Sequence, residues 1–319
     1  MKRIVFMGTA GFGIPTLRAL HEHHEVVGVV TRPDKAKGRG KKFQPSPVKS
    51  AALELGLMVI DPENLKSPEF IGSLRKLDAD LFFVVAFRIL PKEMFTMPPD
   101  GTINMHASLL PDYRGAAPIN WAIINGDVRT GLTTFYIEET IDTGDIILSE
   151  TVDIGPDETA GELSGRMSEL AAGLALKTIA LIEHKGHTGQ KQPQGNGRPA
   201  PKLFKEDSRI DWSMDARSIH NRVRGMNPVP GAFTDWTGGP LKIHRTTVID
   251  DETPGKPGII VEASPKKGIV VSCGRGKLRI LELQPPCKKP MDSACFVRGY
   301  CVENGMHISG KPEVDPLGS

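Results

Sequence analysis

Asn104 and His106 stand two residues apart in Gly101–His106, a short apolar run that reads as a β-strand. Side chains alternate across a strand, so the amide and the imidazole leave one face while Ile103 and Met105 enter the core from the other. Downstream, Glu138-Glu139-Thr140-Ile141-Asp142-Thr143-Gly144-Asp145 is an acidic loop between two further strand-like runs. An amide, an imidazole and a carboxylate suit acyl transfer. Asn can donate a hydrogen bond to a developing oxyanion. His can take the proton that an attacking amine must lose. A carboxylate can orient that imidazole and stabilise its charged form. No Ser or Cys with a matching base stands out, so direct attack by an amine is the simpler chemistry. Taken alone, an Asn-x-His pair more often only hydrogen-bonds a strand end. Asp-Thr-Gly-Asp alone is more often a turn, because Asp and Gly favour turns by their own chemistry.

The elements that must hold these residues alternate between strand and helix. Lys2–Met7 reads as a strand, Gly8, Gly11 and Gly13 as a turn, and Ile14–Glu22 as a helix. Glu25–Val30, Leu57–Ile60, Ala79–Ala86, Leu132–Ile137 and Ile146–Ile154 are further strand candidates. Ser46-Pro47 and Ser67-Pro68 each set a capping hydroxyl before a proline at the first helical position. Ala160–Glu183 is a long amphipathic helix. Alternating βα units with nearly continuous apolar strands predict an α/β fold, a doubly wound and mostly parallel sheet of Rossmann-like type. Such sheets carry their chemistry at the carboxyl ends of the strands. A nicotinamide dehydrogenase fits poorly, because Gly8-x-x-Gly11-x-Gly13 is not G-x-G-x-x-G and the second strand runs into Thr31-Arg32 rather than an acid.

At 319 residues the chain is long enough for two domains. Composition changes after the long helix. Residues 184–205 are rich in Gly, Gln, Pro and basic residues and read as a linker. The expected division is therefore a catalytic domain over 1–183, the linker 184–205, and a second domain over 206–319. Short apolar runs broken by Gly and Pro (Leu241–His244, Gly258–Val261, Gly268–Cys273, Leu278–Leu283) predict a small β-barrel or sandwich there. No apolar run approaches membrane-spanning length, and Met1–Met7 reads as a strand and not a signal peptide, so a cytoplasmic protein is expected. Cys273, Cys287, Cys295 and Cys301 lack zinc-site spacing and read as reduced thiols; no metal is expected. Trp212 and Trp236 read as core or hinge residues before they read as base-stacking platforms.

The overall charge of +2 hides an asymmetry. Residues 201–319 hold 18 Lys+Arg against 14 Asp+Glu, a mild basic bias compatible with a nucleic-acid partner. The segment Arg32–Lys49 carries Arg32, Lys35, Lys37, Arg39, Lys41, Lys42 and Lys49 against Asp34, with Gly38 and Gly40 lending flexibility. Such a loop can neutralise phosphates, or it can be a solvated surface.

The string Asn104 to Pro111, with Arg114-Gly115-Ala116-Ala117-Pro118 and Asp142-Thr143-Gly144-Asp145 downstream, resembles the folate-dependent formyltransferases. The resemblance covers residues 1 to roughly 308. It implies 10-formyltetrahydrofolate as co-substrate, with Asn104, His106 and Asp142 as the catalytic residues. It assigns Ser108, Leu109, Leu110 and Pro111 to folate contact and sets Phe87-Arg88-Ile89-Leu90 around the pterin ring, with Phe87, Arg88 and Leu90 as contacts. Arg88 departs from the Gly of many tRNA-specific members, which weakens any inference about the amine from that segment. Two features lean toward the members acting on initiator methionyl-tRNA. The loop from Arg32-Pro33-Asp34 to Lys49 resembles the insertion those members use against the acceptor stem, with Arg39, Lys41 and Lys42 as tRNA contacts. The segments Pro201-Lys202-Leu203, Ile210-Asp211-Trp212, Arg224 to Ala232 and Leu281 to Pro286 resemble their second domain, an oligonucleotide-binding-like barrel. A monomer is the expected state. The alternative acceptor is a UDP-4-amino-sugar; members of that kind generally lack the long basic loop. A non-catalytic tRNA-binding protein would leave Asn104, His106 and Asp142 without purpose.

Overall fold

The computed structural model describes residues 1–37, 42–185, 189–193, 195 and 197–309; for Lys37, Lys42 and Lys185 only the backbone is described. In chain order the elements begin with β1 (Arg3–Gly8), α1 (Ile14–His23), β2 (Glu25–Val30), β3 (Lys35–Lys37), β4 (Lys42–Gln44), α2 (Pro47–Glu54), β5 (Val59–Ile60) and α3 (Pro68–Lys76). Next come β6 (Leu81–Val85), α4 (Lys92–Phe95), β7 (Thr102–His106), β8 (Arg114–Gly115), α5 (Pro118–Ile124), β9 (Arg129–Tyr136), β10 (Ile146–Asp153), α6 (Ala160–Lys185) and β11 (Pro199–Ala200). The last are α7 (Ala216–Met226), β12 (Phe233–Trp236), β13 (Gly239–Pro254), β14 (Ile260–Ser264), β15 (Gly268–Ser272), β16 (Arg275–Gln284), β17 (Met291–Asp292) and α8 (Ser293–Gly299).

Packing divides the chain into two units, one of Met1–Pro118, Arg129–Asp153 and Ser164–Pro201, the other of Ile119–Val128, Ile154–Leu163 and Lys202–Ser319. The first holds a seven-stranded sheet in the order β10-β9-β7-β6-β1-β2-β5. β5, β2, β1, β6 and β7 pair in parallel, while β9 runs antiparallel to β7 and β10 antiparallel to β9. This is the doubly wound, mostly parallel fold read from the βα alternation. Along β1, Ile4 and Phe6 are sealed on one face and Val5 and Met7 on the other, so helices cover both sides. Val5, Met7, Phe82 and Val84 pack with Phe70, Ile71 and Leu74 of α3 and with Leu90 and Met94. Each such burial stabilises by roughly 1.5–3 kcal/mol relative to exposure. Both expected caps form: Ser46 Oγ accepts from Lys49 N at 3.0 Å and Ser67 Oγ from Phe70 N at 3.3 Å.

The second unit is an antiparallel six-stranded β domain, ordered β12-β13-β16-β15-β14, with β17 pairing β16. α7 packs Ala216, Ile219, Val223 and Met226 into the core of this domain, beside Leu241, Ile243, Leu278 and Ile280. The expected barrel or sandwich does not include α7, although its segment has helical apolar spacing and no proline. Its start is set by Asp215, whose carboxylate accepts from Ser218 N at 2.9 Å. Two excursions from the first 183 residues belong to this unit, because α7 binds them. Asn120 Nδ2 donates to Gly225 O at 2.7 Å, and Arg224 Nη1 donates to Gly155 O at 3.2 Å and Glu158 O at 3.1 Å. Trp212 is 6% exposed and its Nε1 donates to Thr234 Oγ1, a core role. Trp236 meets Phe296 edge-on with ring centroids 5.4 Å apart.

Among the described residues, the base of the basic loop has regular structure. β3 and β4 form an antiparallel pair, Lys35 opposite Gln44 and Lys37 opposite Lys42. Its ends are tied by a buried bond between Thr31 Oγ1 and Ser46 Oγ at 2.7 Å. Lys49 Nζ bridges Asp34 Oδ1 at 2.8 Å and Asp61 Oδ2 at 2.7 Å, so this lysine serves the fold. Arg39 and Lys41 lie outside the described residues, and Lys42 is placed by its backbone only.

Candidate active site

β7 places the first two groups. It pairs with β6 through Val84 opposite Asn104, and with β9 through Asn104 opposite Phe135 and His106 opposite Thr133. Ile103 and Met105 are buried at 0% and 3%, which leaves Asn104 and His106 together on the other face, as the alternation requires. Asn104 is half-buried, and its side chain makes no hydrogen bond to protein among the described residues. An unpaired amide at a strand end can still give two N–H bonds and accept others.

His106 is buried and held at one nitrogen. Its Nε2 lies 2.8 Å from Tyr113 O. A carbonyl oxygen only accepts, so Nε2 carries the hydrogen and the neutral ring leaves Nδ1 as its base. Nδ1 is 3.8 Å from Asp142 Oδ2, too far for a hydrogen bond but within ion-pair range once the ring is charged. The two side chains are 8% and 11% exposed, which limits screening by solvent. Asp142 Oδ2 also accepts from Gly115 N at 2.9 Å. Of the three groups the resemblance singles out, His106 and Asp142 therefore meet in the first unit, Asn104 shares the strand face of His106, and Tyr113, through its carbonyl, joins them.

Three residues on the loops at and near these groups take left-handed backbone. Tyr113 (φ 60°), Asp142 (φ 56°) and Ala86 (φ 50°) occupy left-handed backbone, at a cost of roughly 1–2 kcal/mol each. Gly144 lets the Asp142 turn close on β9: a Cβ there would stand 1.7 Å from Tyr136 O. Gly115, at φ +125°, lets β8 meet β11; a Cβ would stand 2.5 Å from Ala200 O.

The segment Ser108 to Pro111 is a turn tied to β9. Ser108 Oγ donates to Asp112 O at 2.6 Å, Thr133 Oγ1 donates to Ser108 O at 2.7 Å, and Leu110 N donates to Thr133 Oγ1 at 3.3 Å. The Ser108 hydroxyl is thus spent on the turn. Leu110 is buried, while Leu109 and Pro111 are half-buried. Beyond Ala86, Phe87 is half-buried against the core, Leu90 is 7% exposed within it, and Ile89 is 75% exposed. Arg88 clamps this segment to the loop after β5, with Nη2 donating to Pro62 O at 2.9 Å and Nη1 to Glu63 O at 3.1 Å. Its guanidinium lies 5.2 Å from the Phe87 ring centroid. Burial pushes the Arg88 pKa down from its ordinary value. Its Nε is buried with no partner among the described residues.

Sequence reasoning missed Gln192. Its Nε2 donates to Asp142 O and Gly144 O, each at 2.9 Å, and its Oε1 accepts from Arg114 Nη2. It sits in the stretch expected to be a linker, which binds the first unit at several points: Gln190 exchanges backbone bonds with Ile146, and β11 pairs β8. A Gly/Gln/Pro-rich composition gives no local signal for that. Among the described residues no group of three or more His, Cys, Asp or Glu is placed to hold a metal ion. No described helix is long and apolar enough to cross a membrane. Cys273 is buried, and burial pushes its thiol up to about 12. The other three cysteines are exposed and free.

A family model described as formyl transferase matches residues 1–179, and one described as formyl transferase, C-terminal domain, matches residues 202–301. The methionyl-tRNA formyltransferase of Porphyromonas gingivalis is 46% identical over 318 residues, covering 96% of this chain and 98% of that protein. That of Moorella thermoacetica is 44% identical over 305 residues, covering 95% and 98%. Among solved structures, an N-formyltransferase from Helicobacter canadensis in complex with folinic acid and dTDP-3-aminofucose has a TM-score of 0.65 at 20% identity, covering 88% of this chain and 99% of that one. HypX from Aquifex aeolicus in complex with tetrahydrofolic acid has a TM-score of 0.62 at 18% identity, covering 93% and 47%. Those two likenesses speak to fold alone. With one family model spanning more than half its length and relatives matched over about 95% of it, this chain belongs to the formyl transferase family.

Proposed function

We propose that the protein transfers the formyl group of 10-formyltetrahydrofolate to the amino group of initiator methionyl-tRNA in the cytoplasm, acting as a monomer. One observation carries the chemistry: His106 commits Nε2–H to Tyr113 O, so Nδ1 is the ring nitrogen able to take a proton, and it faces the Asp142 carboxylate. Asn104, on the same strand face, donates to the formyl oxygen as negative charge develops there. His106 receives the proton released by the attacking amine, Asp142 stabilises the imidazolium that results, and the imidazolium returns that proton to the donor's N10 as the N10–formyl bond breaks and tetrahydrofolate leaves. The donor supplies an activated one-carbon electrophile. The residues around the site fit such a ligand: the unpaired Asn104 amide and the orphaned Arg88 Nε offer donors, and the exposed Ile89 with half-buried Leu109 and Pro111 offers apolar edges. Asn104, His106 and Asp142 all come from one unit of one chain, so the chemistry needs no second copy.

The choice of methionyl-tRNA is supported by relatives of that name at 44–46% identity over nearly the whole chain, against 18–20% for the sugar N-formyltransferase structures. The division of the sequence into a catalytic domain, a linker and a tRNA-facing domain (1–183, 184–205, 206–319) belongs to the same proposal, as do Arg39, Lys41 and Lys42 as phosphate contacts. The test offers methionyl-tRNA and a UDP-4-amino-sugar as separate acceptors for the formyl group. Transfer to methionyl-tRNA alone is expected; transfer to the sugar alone would overturn the acceptor and leave the formyl chemistry standing.

A further inference from the structure

Asp142 is useful only where it stands; within its own loop Thr143 Oγ1 donates to Thr140 O at 3.1 Å and Tyr136 N to Asp145 O at 3.0 Å, and neither bond is made by Asp142 itself. It sits in left-handed backbone with an exposed Ile141 before it and a half-buried Thr143 after it. A strained position of this kind persists only when its surroundings over-determine it. The surroundings here are two residues distant in sequence. Gln192, from the stretch after α6, uses both hydrogens of its amide on the turn, one to Asp142 O and one to Gly144 O. Its remaining oxygen accepts from Arg114 Nη2. Arg114 neighbours Gly115, whose N–H donates to Asp142 Oδ2. The result is a closed ring: Asp142 carboxylate, Gly115, Arg114, Gln192 and back to the Asp142 carbonyl. The stretch that carries Gln192 is itself anchored on both sides of it. Gln190 N and O bond Ile146 O and N at 2.7 Å each, and Arg198 O accepts from Tyr113 N at 2.6 Å. It therefore ties together the two loops that face His106, one at Nε2 through Tyr113 and one at Nδ1 through Asp142.

We propose that Gln192, braced by Arg114, is a positioning residue for the formyl-transfer step: it fixes the backbone turn that sets the Asp142 carboxylate 3.8 Å from His106 Nδ1. The proposal rests on the reading of Asn104, His106 and Asp142 as the reacting site. Gln192 touches neither reactant; it acts through Asp142. A displacement of the carboxylate by about 1 Å costs on the order of a hundredfold in rate, so a partial loss of the tether gives a fall of about 10- to 100-fold.

The experiment is a double-mutant cycle on the full-length protein. Gln192→Ala, Asp142→Asn and the double variant are compared for kcat and for KM toward 10-formyltetrahydrofolate and methionyl-tRNA. Gln192→Ala is expected to lower kcat about 10- to 100-fold with both KM values within about threefold, and to cause no further fall in the Asp142→Asn background. A merely structural role would instead multiply the two losses or raise KM. Either result, or wild-type kcat in Gln192→Ala, overturns the proposal. Gln192→Glu carries the same test where the alanine variant does not fold: it keeps the volume and the bond from Arg114 but turns an oxygen on two carbonyls. Near-wild-type kcat in Asp142→Asn would sink the site reading itself. Loss of activity in Asp142→Asn with full activity in Gln192→Ala would sink only the tether.

Discussion

Replacing Asp142 by Asn removes one charge and almost nothing else. The carboxylate oxygen near His106 is also the acceptor for Gly115 N at 2.9 Å, and an Asn Oδ1 can take that place. The ring does not change tautomer, because Nε2–H is committed to Tyr113 O whatever stands at position 142. What disappears is the attraction between a carboxylate and the imidazolium formed in the reaction. At 3.8 Å with an effective dielectric constant of about 20, that attraction is about 4 kcal/mol. The amide dipole of Asn restores part of it, which leaves a loss of roughly 2–4 kcal/mol at the transition state. Each 1.36 kcal/mol is tenfold, so kcat should fall roughly thirty- to a thousandfold. The assay is single-turnover transfer of a labelled formyl group to methionyl-tRNA, with kcat and both KM values measured separately and a thermal melt to verify the fold. A kcat within about threefold of wild type would refute the electrostatic role. A rise in KM at constant kcat would move Asp142 from charge stabilisation to ground-state binding.

Asn104→Ala should lower kcat about 10²–10³-fold, the usual cost of an oxyanion donor, while the melting temperature holds, because its amide has no protein partner among the described residues; a melt lowered by several degrees would make Asn104 a structural residue instead. Changing Arg39, Lys41 and Lys42 together to Ala should raise KM for tRNA and leave that for folate untouched, and the slope of log KM against log salt should flatten by about 0.9 for each phosphate no longer neutralised. Equal effects on both substrates would make the loop incidental. In the second unit, burial is the largest cause holding the His220 pKa below its ordinary 6.5. Its Nδ1 lies 3.0 Å from Thr246 Oγ1, an arrangement suited to a neutral ring. A depressed folded pKa means the stabilisation is present above about pH 6.5 and lost as the pH falls, because the unfolded chain takes the proton first. Denaturant melts at pH 7.5 and 5.5 should therefore show a loss at the lower pH that His220→Gln reduces, and an unchanged loss in that variant would assign it to other groups.

Much of the catalytic frame is legible in the chain because it rests on local rules. The strand β7 follows from an apolar run, and the shared face of Asn104 and His106 from strand alternation. The starts of α2 and α3 follow from Ser-Pro pairs whose hydroxyls cap the helices as read. The identity of the chemistry required more than spacing, since Asn-x-His and Asp-Thr-Gly-Asp each have ordinary structural readings; only the longer string from Asn104 to Pro118 set them in a family. α7 does carry Ala216, Ile219, Val223 and Met226 at helical spacing behind the Asp215 cap, but the Gly- and Pro-broken runs that follow it read as strands and draw the whole region toward an all-β reading.

What the tertiary structure alone decided is how distant groups meet. Asp142 reaches His106 across 36 positions, and Gln192 reaches Asp142 across 50, through a stretch whose composition reads as a connector. The Tyr113 carbonyl fixes which nitrogen of His106 carries the hydrogen, yet every residue has a carbonyl, so no residue type could advertise it. Arg88 and Lys49 read as charges for a ligand, and the fold gives both protein partners: the Arg88 Nη atoms bond two backbone carbonyls while Nε stays unpaired among the described residues, and Lys49 bonds two aspartates. Sequence by itself settled the strands and helices that frame the first unit's sheet and the face that Asn104 and His106 share, because backbone periodicity is local. The partner that each polar group found was settled by chain closure over tens of residues, because a donor takes whatever acceptor the packed backbone brings within about 3 Å.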